Sequence, residues 1–358
     1  MENKRYYDIA VVGAGPSGAI LVKEIIKSRP DLKIVLIDGQ TEELSKPCGG
    51  LLSPSAQKVI ARLNMVLPKS VLVDPQIFAV QTMDIDQNIT RLYQRCYLNM
   101  DRYAFDKWLL SFATQNATII NGRCTKIEKE GDSYNLNVVT ATEKIKLSAN
   151  FIVGADGGSS IVRRTFFKGM KVQYVSIQQW YEDKGQNVPN YSCIFDAKTS
   201  DSCSWTIRKD KYLIYGGAFD KKGCREAFEN QKARLENFLG NPFGKPVKTE
   251  ACLVSSPRKI KDFCTGKEKV FLVGEAAGFI SASSFEGFSS ALLSGKALAD
   301  AFIKGKTYQQ IQKEYSKNTR SLRHRLRKRA VKRALLCNPF IRKIVMKSGI
   351  QSISLYNN

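Results

Sequence analysis

The chain has 358 residues, of which 43% are hydrophobic, so its length predicts about two domains with a full apolar core. Its net charge of +23 leaves nucleic acid, an anionic membrane surface and an acidic protein as candidate partners. A single histidine, His324, argues against a Ser-His-Asp triad and a histidine-based metal site, and we expect no metal. Nine scattered cysteines without a CxxC pair indicate a reducing compartment. No apolar stretch approaches the roughly 18 residues of a membrane helix.

The stretch from Tyr7 to Asp38 reads as a strand, a glycine turn, a helix and a second strand. Gly13 permits the tight turn, Gly15 lets a pyrophosphate approach the backbone, and Gly18 lets the helix pack on the strand. The helix N-terminus would face the phosphates. Asp38 follows Gly18 by 20 residues (38 − 18), where a carboxylate can hold a ribose hydroxyl. The stretch therefore predicts dinucleotide binding, and a glycine turn that binds nothing is the alternative.

Two later stretches carry unusual residues. The loop Lys46-Pro47-Cys48-Gly49-Gly50 suggests a backbone packed against a flat group, and an ordinary turn is the alternative. Residues 99–115 predict an amphipathic helix with Asp101 as its N-cap. Arg102 lies in the first turn of that helix, where the dipole does not favour a cation. Either a nearby anion or an ordinary surface position would explain it.

The rest of the chain alternates between strand-like and helical patterns. Residues 117–153 predict a strand meander that leads into a small-residue loop with Asp156. Short β-like runs over 170–256 predict an antiparallel sheet and a second domain. A charged helix is predicted within this range, at 224–239. A buried strand at 269–274 then opens on another glycine-rich turn and a small-residue helix. The first domain is therefore predicted to be split and completed near the end of the chain.

Four ordered motifs resemble the FAD-dependent oxidoreductase superfamily that includes para-hydroxybenzoate hydroxylase, from Tyr7 to about Phe302. They are the glycine turn with Asp38, the Asp101-Arg102 pair, the Asp156-Gly157 motif, and Gly274-Glu275. The superfamily has Asp after that last glycine, whereas this chain has Glu275, one methylene longer. The resemblance implies FAD contacts from Gly13, Gly15, Ser17, Gly18, Asp38, Cys48, Gly49, Gly50, Arg102, Cys124, Asp156, Glu275, Gly287 and Phe288.

Within the superfamily, the chain looks most like the geranylgeranyl reductase branch. Pro47-Cys48-Gly49-Gly50 matches the PCGG loop of that branch. Its lipid-tunnel motif, YxWxFP followed by GxG, keeps only Trp205 and Gly216, which we expect to contact the substrate. The other named positions are replaced by Cys203, Ile207, Arg208 and Ala218. The scaffold is therefore expected to be shared, and the substrate pocket altered.

The resemblance implies an α/β chain (α+β overall), built on a Rossmann-like FAD-binding domain with an inserted antiparallel substrate domain. We predict the FAD-binding domain at 1–165, interrupted by substrate-domain segments near 65–100, and its completion at 261–305. The substrate domain is predicted at 166–260 and a basic helical region at 306–358.

The implied activity is hydride transfer through flavin to or from an apolar, prenyl or lipid substrate. An FAD-dependent NAD(P)H monooxygenase of an aromatic or polycyclic molecule is the alternative, and a retired, non-catalytic flavin- or nucleic-acid-binding protein is a third. The halogenase string WxWxIP is absent. NAD(P)H is expected as reductant by analogy, and an acidic ferredoxin would suit the basic surface. Cys48 is either a proton donor or a flavin contact without chemistry.

The run from 317 to 333 holds nine Lys/Arg and no acid. From Arg320 to Leu335, apolar residues recur every four positions at Leu322, Leu326, Ala330 and Ala334, which predicts a basic amphipathic helix. That helix either lies on anionic lipid or packs its weak apolar face on the domain. Nucleic acid is not expected, since aromatic platforms and a recognition motif are lacking. The expected location is the cytoplasm, with peripheral attachment to the inner face of the membrane as a further expectation.

Overall fold

The computed structural model describes residues 5–41, 46–170, 172–185 and 188–355. The strands in the described chain are β1 (Arg5–Val12), β2 (Ile34–Asp38), β3 (Leu51–Leu52), β4 (Ile77–Asp84), β5 (Ile89–Asn99), β6 (Thr118–Asn121), β7 (Arg123–Glu130), β8 (Ser133–Val139), β9 (Lys144–Gly154), β10 (Gln173–Glu182), β11 (Tyr191–Phe195), β12 (Cys203–Lys209), β13 (Tyr212–Asp220), β14 (Lys248–Ser255), β15 (Gly266–Lys267) and β16 (Val270–Leu272). The helices are α1 (Pro16–Ser28), α2 (Pro54–Arg62), α3 (Arg102–Ser111), α4 (Ile161–Phe166), α5 (Cys224–Leu239), α6 (Phe288–Lys304), α7 (Tyr308–Asn318), α8 (Arg320–Leu336) and α9 (Pro339–Ser348).

The first sheet is the dinucleotide-type sheet, with strand order β15-β16-β9-β1-β2-β6. Its central pairings are parallel, and Ile9 of β1 lies between Ile34 of β2 and Phe151 of β9. The apolar run of β1 is buried on both faces, as a parallel strand covered by helices requires. α1 packs against α6 so closely that a Cβ at Gly295 would lie 2.4 Å from the Ser17 carbonyl oxygen. The small residues of α6 therefore allow this contact.

The meander predicted over 117–153 is partly wrong. Its first run divides at Gly122 into two strands. β6 pairs in parallel with β2 at the edge of the first sheet, whereas β7, β8 and β9 form the antiparallel part. A Cβ at Gly122 would lie 2.8 Å from the Val139 carbonyl oxygen, so the chain turns where glycine permits a close approach.

The second sheet has the order β14-β10-β13-β12-β11-β4-β5-β3, and it is antiparallel except where β11 pairs with β4. It therefore combines strands from 51–99 with strands from 173–255. α5 covers one face through the buried side chains of Phe228 and Leu235, which pack on Tyr215 and Phe219. Both the mixed α/β architecture and the Rossmann-like character predicted from the sequence are confirmed.

The C-terminal helices tie the two sheets together. Tyr315 of α7 donates a hydrogen bond to the Leu272 carbonyl oxygen at 2.8 Å. Leu322 and Leu326 of α8 are buried in the core of the first sheet, so the interpretation that this face meets lipid is wrong. Arg333 and Arg342 bind acids of the second-sheet region, Asp201 at 2.8 Å and Asp84 at 2.6 Å. Among the described residues, no helix has the length and apolar character needed to cross a bilayer.

Candidate functional site

The glycine turn after β1 has one open position between two crowded ones. Gly13 has φ +105°, and a Cβ there would lie 2.5 Å from the Ala155 carbonyl oxygen. A Cβ at Gly18 would lie 2.1 Å from the carbonyl oxygen of Gly13. In front of Gly15, by contrast, no atom would lie within 4 Å of a Cβ. The open position is where a pyrophosphate would approach.

The N-terminus of α1 is free to receive an anion. Gly15 is its N-cap, no side chain caps it, and the first turn holds no acid. Its backbone N–H groups and dipole therefore favour a phosphate. Asp38, buried at the end of β2, accepts hydrogen bonds from the Gln40 backbone N–H at 3.0 Å and from Lys107 Nζ at 2.8 Å.

Arg102 begins α3 and points into the same space. Its Nε lies 3.0 Å from both carboxylate oxygens of Asp106, and its guanidinium lies 4.8 Å from the centre of the Phe288 ring. Burial alone would lower the pKa of Arg102, but the Asp106 carboxylate raises it above the ordinary value. The guanidinium is therefore a fixed positive charge, which suits the anion that its unusual position in the first turn suggests.

Asp156 has one satisfied and one unsatisfied oxygen. Its Oδ2 accepts hydrogen bonds from the backbone N–H groups of Ile161 at 2.6 Å and Val162 at 3.4 Å. Its Oδ1 is buried without a partner among the described residues. Burial raises the pKa of Asp156 above its usual range. An orphaned buried acceptor next to the glycine turn fits a ligand hydroxyl, so the residues present suit a flavin nucleotide.

The loop from Lys46 to Gly50 is held in place by hydrogen bonds and packing contacts at its glycine pair. Gly50 has φ +62°, and its carbonyl oxygen accepts from the Met100 N–H at 2.9 Å and from Lys209 Nζ at 3.4 Å. Lys209 also donates to Asn99 Oδ1 at 2.6 Å, and burial lowers its pKa to about 8. A Cβ at Gly49 would lie 2.5 Å from Ile207 Cδ1, so the glycine pair packs against β12.

Cys48 lies in this loop with its Sγ accepting the Gly50 N–H at 3.4 Å. The thiol lies on the wall of the cavity described below. Either sequence-based alternative, proton donor or flavin contact, is compatible with this position.

Glu275 has protein partners for both carboxylate oxygens. Oε1 accepts the Ser255 backbone N–H at 2.8 Å, and Oε2 forms an ion pair with Lys46. Gly274–Ala277 is a short 3-10 turn after β16, so Glu275 joins three distant segments. The extra methylene thus lets this acid reach a strand of the second sheet and the loop at 46–50. Its predicted contact with FAD stays a prediction.

All of these groups surround one cavity of about 1840 Å³ between the two sheets. Of the predicted FAD contacts, only Gly18 lies outside the lining, because it packs behind the glycine turn. Gly287 and Phe288 reach the lining at the start of α6, which also has no side-chain cap. Cys124, the second residue of β7, also belongs to the lining. The structure therefore brings the residues predicted to contact FAD, other than Gly18, together around one cavity, and that contact with FAD stays a prediction.

Trp205 lies on the wall formed by the second sheet, and Gly216 lies behind it. The two residues pair across β12 and β13, and a Cβ at Gly216 would lie 2.8 Å from the indole nitrogen of Trp205. Gly216 is therefore needed to make room for the indole, and we assign it no substrate contact. The Trp205 Nε1–H is buried without a partner among the described residues. It is a hydrogen-bond donor that a ligand oxygen could use.

Several wall residues were not found by the sequence-based reasoning. Tyr97 stacks edge-on with Tyr191 at 5.4 Å, and its hydroxyl donates to Glu286 Oε1 at 3.3 Å. Burial raises the pKa of both phenols, so they stay neutral and can donate hydrogen bonds. The alternation of β5 places Tyr93, Arg95 and Tyr97 on one face, which was a usable signal. No pattern in the sequence indicated that the C-terminal helices lie against the cavity. They contribute to its lining Arg329, Lys332, Leu336, Arg342, Val345 and Met346.

Among the residues that the structure describes, no group of three His, Cys, Asp or Glu side chains could hold a metal ion. All nine cysteines are free thiols. The acids of the site are held by cations or backbone N–H groups, as in a nucleotide site, rather than converging on one point.

The fold is that of flavoproteins. A geranylgeranyl bacteriochlorophyll reductase-like protein from Thermoplasma acidophilum superposes with a TM-score of 0.84 at 18% identity, covering 99% of this chain and 94% of its own. The p-nitrophenol 4-monooxygenase PnpA from Pseudomonas putida DLL-E4 gives 0.73 at 15% identity, over 96% and 93% of the two chains. The fold expected from the resemblance to the para-hydroxybenzoate hydroxylase superfamily and its reductase-like branch is therefore confirmed.

A family model and relatives of higher sequence identity show the family of the chain. The family model described as "Lycopene cyclase protein" matches residues 8–212. Protein CbrA of Escherichia coli O6:H1 (strain CFT073) is 40% identical over 354 residues, covering 97% of this chain and 95% of that protein. CbrA of Shigella sonnei (strain Ss046) is also 40% identical and is covered to 98%. The chain therefore belongs to the lycopene cyclase protein family, and CbrA is a relative over nearly its whole length.

Proposed function

We propose that the chain is an FAD-dependent reductase that transfers hydride to or from an apolar substrate, with a prenyl or lipid chain as the substrate class. The observation that carries the proposal is the cavity of about 1840 Å³, which runs from the glycine turn to a largely apolar and aromatic wall. Representative wall residues are Val80, Tyr97, Tyr191, Phe195, Trp205, Ile207, Val254, Ile280, Phe285, Val345 and Met346. Such a wall excludes water and suits a hydrocarbon.

We assign the binding of FAD to the residues around the glycine turn. The α1 N-terminus and Arg102 would hold the pyrophosphate, and Asp38 would accept a hydroxyl if its bond to Lys107 rearranges. The free Oδ1 of Asp156 would accept another hydroxyl. When bound, FAD supplies hydride transfer at its flavin ring. The uncapped start of α6 would place N–H groups near that ring, where they favour negative charge.

The proton of such a reduction would come from this chain. Tyr97 and Tyr191 are neutral phenols on the wall, and Cys48 carries a thiol beside Gly49. Glu286 holds the Tyr97 hydroxyl at 3.3 Å, which fixes the position of this phenol on the wall. The structure thus supplies three candidate acids without a histidine.

A second candidate function is a monooxygenase that hydroxylates an aromatic or polycyclic molecule. The unpartnered Nε1–H of Trp205 favours it, because a polar substrate would satisfy that donor and a pure hydrocarbon would not. We keep NAD(P)H and an acidic ferredoxin as alternative electron donors. The nine free thiols support a reducing, cytoplasmic compartment for either activity.

The first experiment is an absorption spectrum of the purified protein, followed by chromatography of the released chromophore. A yellow protein that releases FAD in near-stoichiometric amount supports the cofactor assignment. A colourless protein that takes up no added FAD would overturn the proposal.

The second experiment separates the two activities. The protein is reduced without oxygen by NADH, NADPH or reduced ferredoxin, and flavin reoxidation is followed with geranylgeraniol as an alkene probe. Anaerobic reoxidation with saturation of the probe supports the reductase. Oxygen-dependent NAD(P)H consumption that p-nitrophenol stimulates, with hydroxylated product, supports the monooxygenase instead.

A further inference from the structure

The last part of the chain carries an extreme charge imbalance. Residues 315–358 contain twelve Lys/Arg and no Asp or Glu, which accounts for about half of the net charge of +23. Only some of these cations are neutralised within the molecule, since Arg329 binds Glu286 at 3.5 Å, Arg333 binds Asp201 and Arg342 binds Asp84. Lys328, Lys332, Lys343 and Lys347 have no ion pair among the described residues, and Lys328 and Lys347 are exposed.

The same segment exposes large apolar side chains. Phe340 is 72% exposed and Ile350 is 67% exposed. With Val331, Leu335, Ile344 and Val345 they form what we call the C-terminal patch. These six residues lie within twenty positions of the chain, and Ile353 and Leu355, also exposed, follow them.

The orientation of α9 is fixed from its inner side. Arg342 and Met346 are buried, and the Arg342 guanidinium binds Asp84 and lies 4.7 Å from the centre of the Phe195 ring. Because Phe340 and Ile344 are four residues apart on the opposite side, they point outward together. Lys343 and Lys347 flank them on the same helix. Outward apolar side chains flanked by lysines are typical of a helix that lies in a membrane interface.

The C-terminal patch also lies at the rim of the cavity. Leu336, Val345 and Ile350 belong both to this segment and to the cavity lining. An apolar surface that surrounds an opening can deliver an apolar molecule without exposing it to water. A basic rim selects a negatively charged surface rather than a neutral one.

We propose that the C-terminal patch docks the protein on an anionic lipid bilayer, with α9 and the end of α8 at the headgroup level. The occupant is lipid rather than protein or nucleic acid. Twelve cations without an acid complement an anionic leaflet, and the apolar side chains between them can enter the acyl boundary. This docking is independent of the flavin chemistry and would hold if the proposed activity were wrong.

The test measures co-sedimentation of the full chain with phosphatidylcholine vesicles, with and without phosphatidylglycerol. Wild type is expected to bind the anionic vesicles on the order of tenfold more strongly, and salt should reverse the difference. Phe340→Ser with Ile344→Ser should weaken binding about tenfold, because apolar contact with the bilayer is lost. Lys343→Glu with Lys347→Glu should weaken it on the order of twentyfold.

Matched controls change the same residue types elsewhere on the surface. Phe78→Ser with Val66→Ser removes two apolar side chains that are 70% and 85% exposed, and Lys27→Glu with Lys245→Glu reverses two exposed lysines. Both control variants should bind more tightly than the patch variant of the same type. Circular dichroism and bound FAD verify that each variant is folded.

Three results would overturn the docking proposal. Wild type could fail to bind anionic vesicles at low salt, or the patch variants could bind no more weakly than their controls. Alternatively, wild type could be a dimer in size-exclusion chromatography and bind no vesicles, while the patch variants are monomers. The patch would then be an interface between copies of the chain.

Discussion

The glycine turn and the wall of the cavity meet at one site, but they are held in place differently. The turn is formed by the backbone of one short segment. A Cβ at Gly13 or Gly18 would clash with backbone atoms, whereas the space next to Gly15 is open. The wall is assembled from side chains of the second sheet and of α8 and α9. The glycine turn therefore depends on positions without a side chain. The wall depends on side chains that come from distant parts of the sequence.

The largest expected effect contrasts two glycines of one motif. Gly18→Ala places a methyl group 2.1 Å from a backbone oxygen and should lower the free energy of unfolding by about 3 kcal/mol. Gly15→Ala meets no atom within 4 Å, so stability should change by about 0.5 kcal/mol or less while FAD binding weakens at least about tenfold. Urea unfolding of the apoprotein and flavin titration measure the two quantities. Equal stability of the two variants would contradict the contrast.

This contrast also explains what the sequence could predict. Gly13, Gly15, Gly18 and Asp38 follow from local spacing and steric rules, and they lie where those rules place them. The partner of Glu275 could not be predicted, because Lys46 lies 229 residues away and the longer acid reaches a different neighbour.

Local spacing left two alternatives open at the basic helix, packing on anionic lipid or on the domain. The four-residue repeat of Leu322 and Leu326 suggests an amphipathic surface helix, but it cannot say what covers the apolar face. In the fold that face is buried against the first sheet, and the exposed apolar residues lie further along the chain. Periodicity predicts that a face is apolar, whereas tertiary contacts decide whether protein or another phase covers it.

A second expected effect concerns the stability contributed by Lys209, which connects the second sheet to the loop at 46–50. Lys209→Met leaves Asn99 Oδ1 and the Met100 carbonyl oxygen without their donor, which should cost about 2 kcal/mol at neutral pH. The pKa of Lys209 is lowered to about 8 from 10.5, so between these values the unfolded chain binds more protons than the folded one. Wild type should therefore gain stability over the variant as pH rises from 8 to 10.5, by at most about 1.4 kcal/mol per pH unit. A constant difference across this range, measured by urea unfolding, would show that Lys209 does not titrate in this window.

A third prediction sharpens the cofactor side. Asp156→Asn replaces the oxygen Oδ1 or Oδ2 by an NH2 group, so FAD binding should weaken about tenfold. Because burial raises the pKa of Asp156 above 3.8, the folded state binds its proton more tightly than the unfolded state. This carboxyl therefore lowers the stability of the apoprotein as pH rises through the raised pKa, and the Asn variant should lose that slope. Flavin titration and urea unfolding at several pH values check both parts.

The smallest effect tests the wall itself. Trp205→Phe keeps an aromatic surface but removes the unpartnered Nε1–H. For an apolar substrate, kcat/KM should change less than about threefold, since no hydrogen bond is lost. For a polar aromatic substrate, a loss of about tenfold is expected, mainly in KM. FAD affinity should stay unchanged in both cases, and a change there would mean that Trp205 belongs to the cofactor end.

The junction of Lys46, Glu275 and Ser255 also constrains how this chain could have diverged. A change at Lys46 alone leaves Glu275 as an uncompensated acid with 7% of its side chain exposed, and a shortened acid at 275 withdraws from Lys46 and from the Ser255 N–H. The two positions are therefore epistatic, and replacing both should cost less than the sum of the single changes. A return to the aspartate of the wider superfamily would thus require a simultaneous change in the loop at 46–50. A substitution at Lys46 or Glu275 therefore has to be judged together with the residue at the other position.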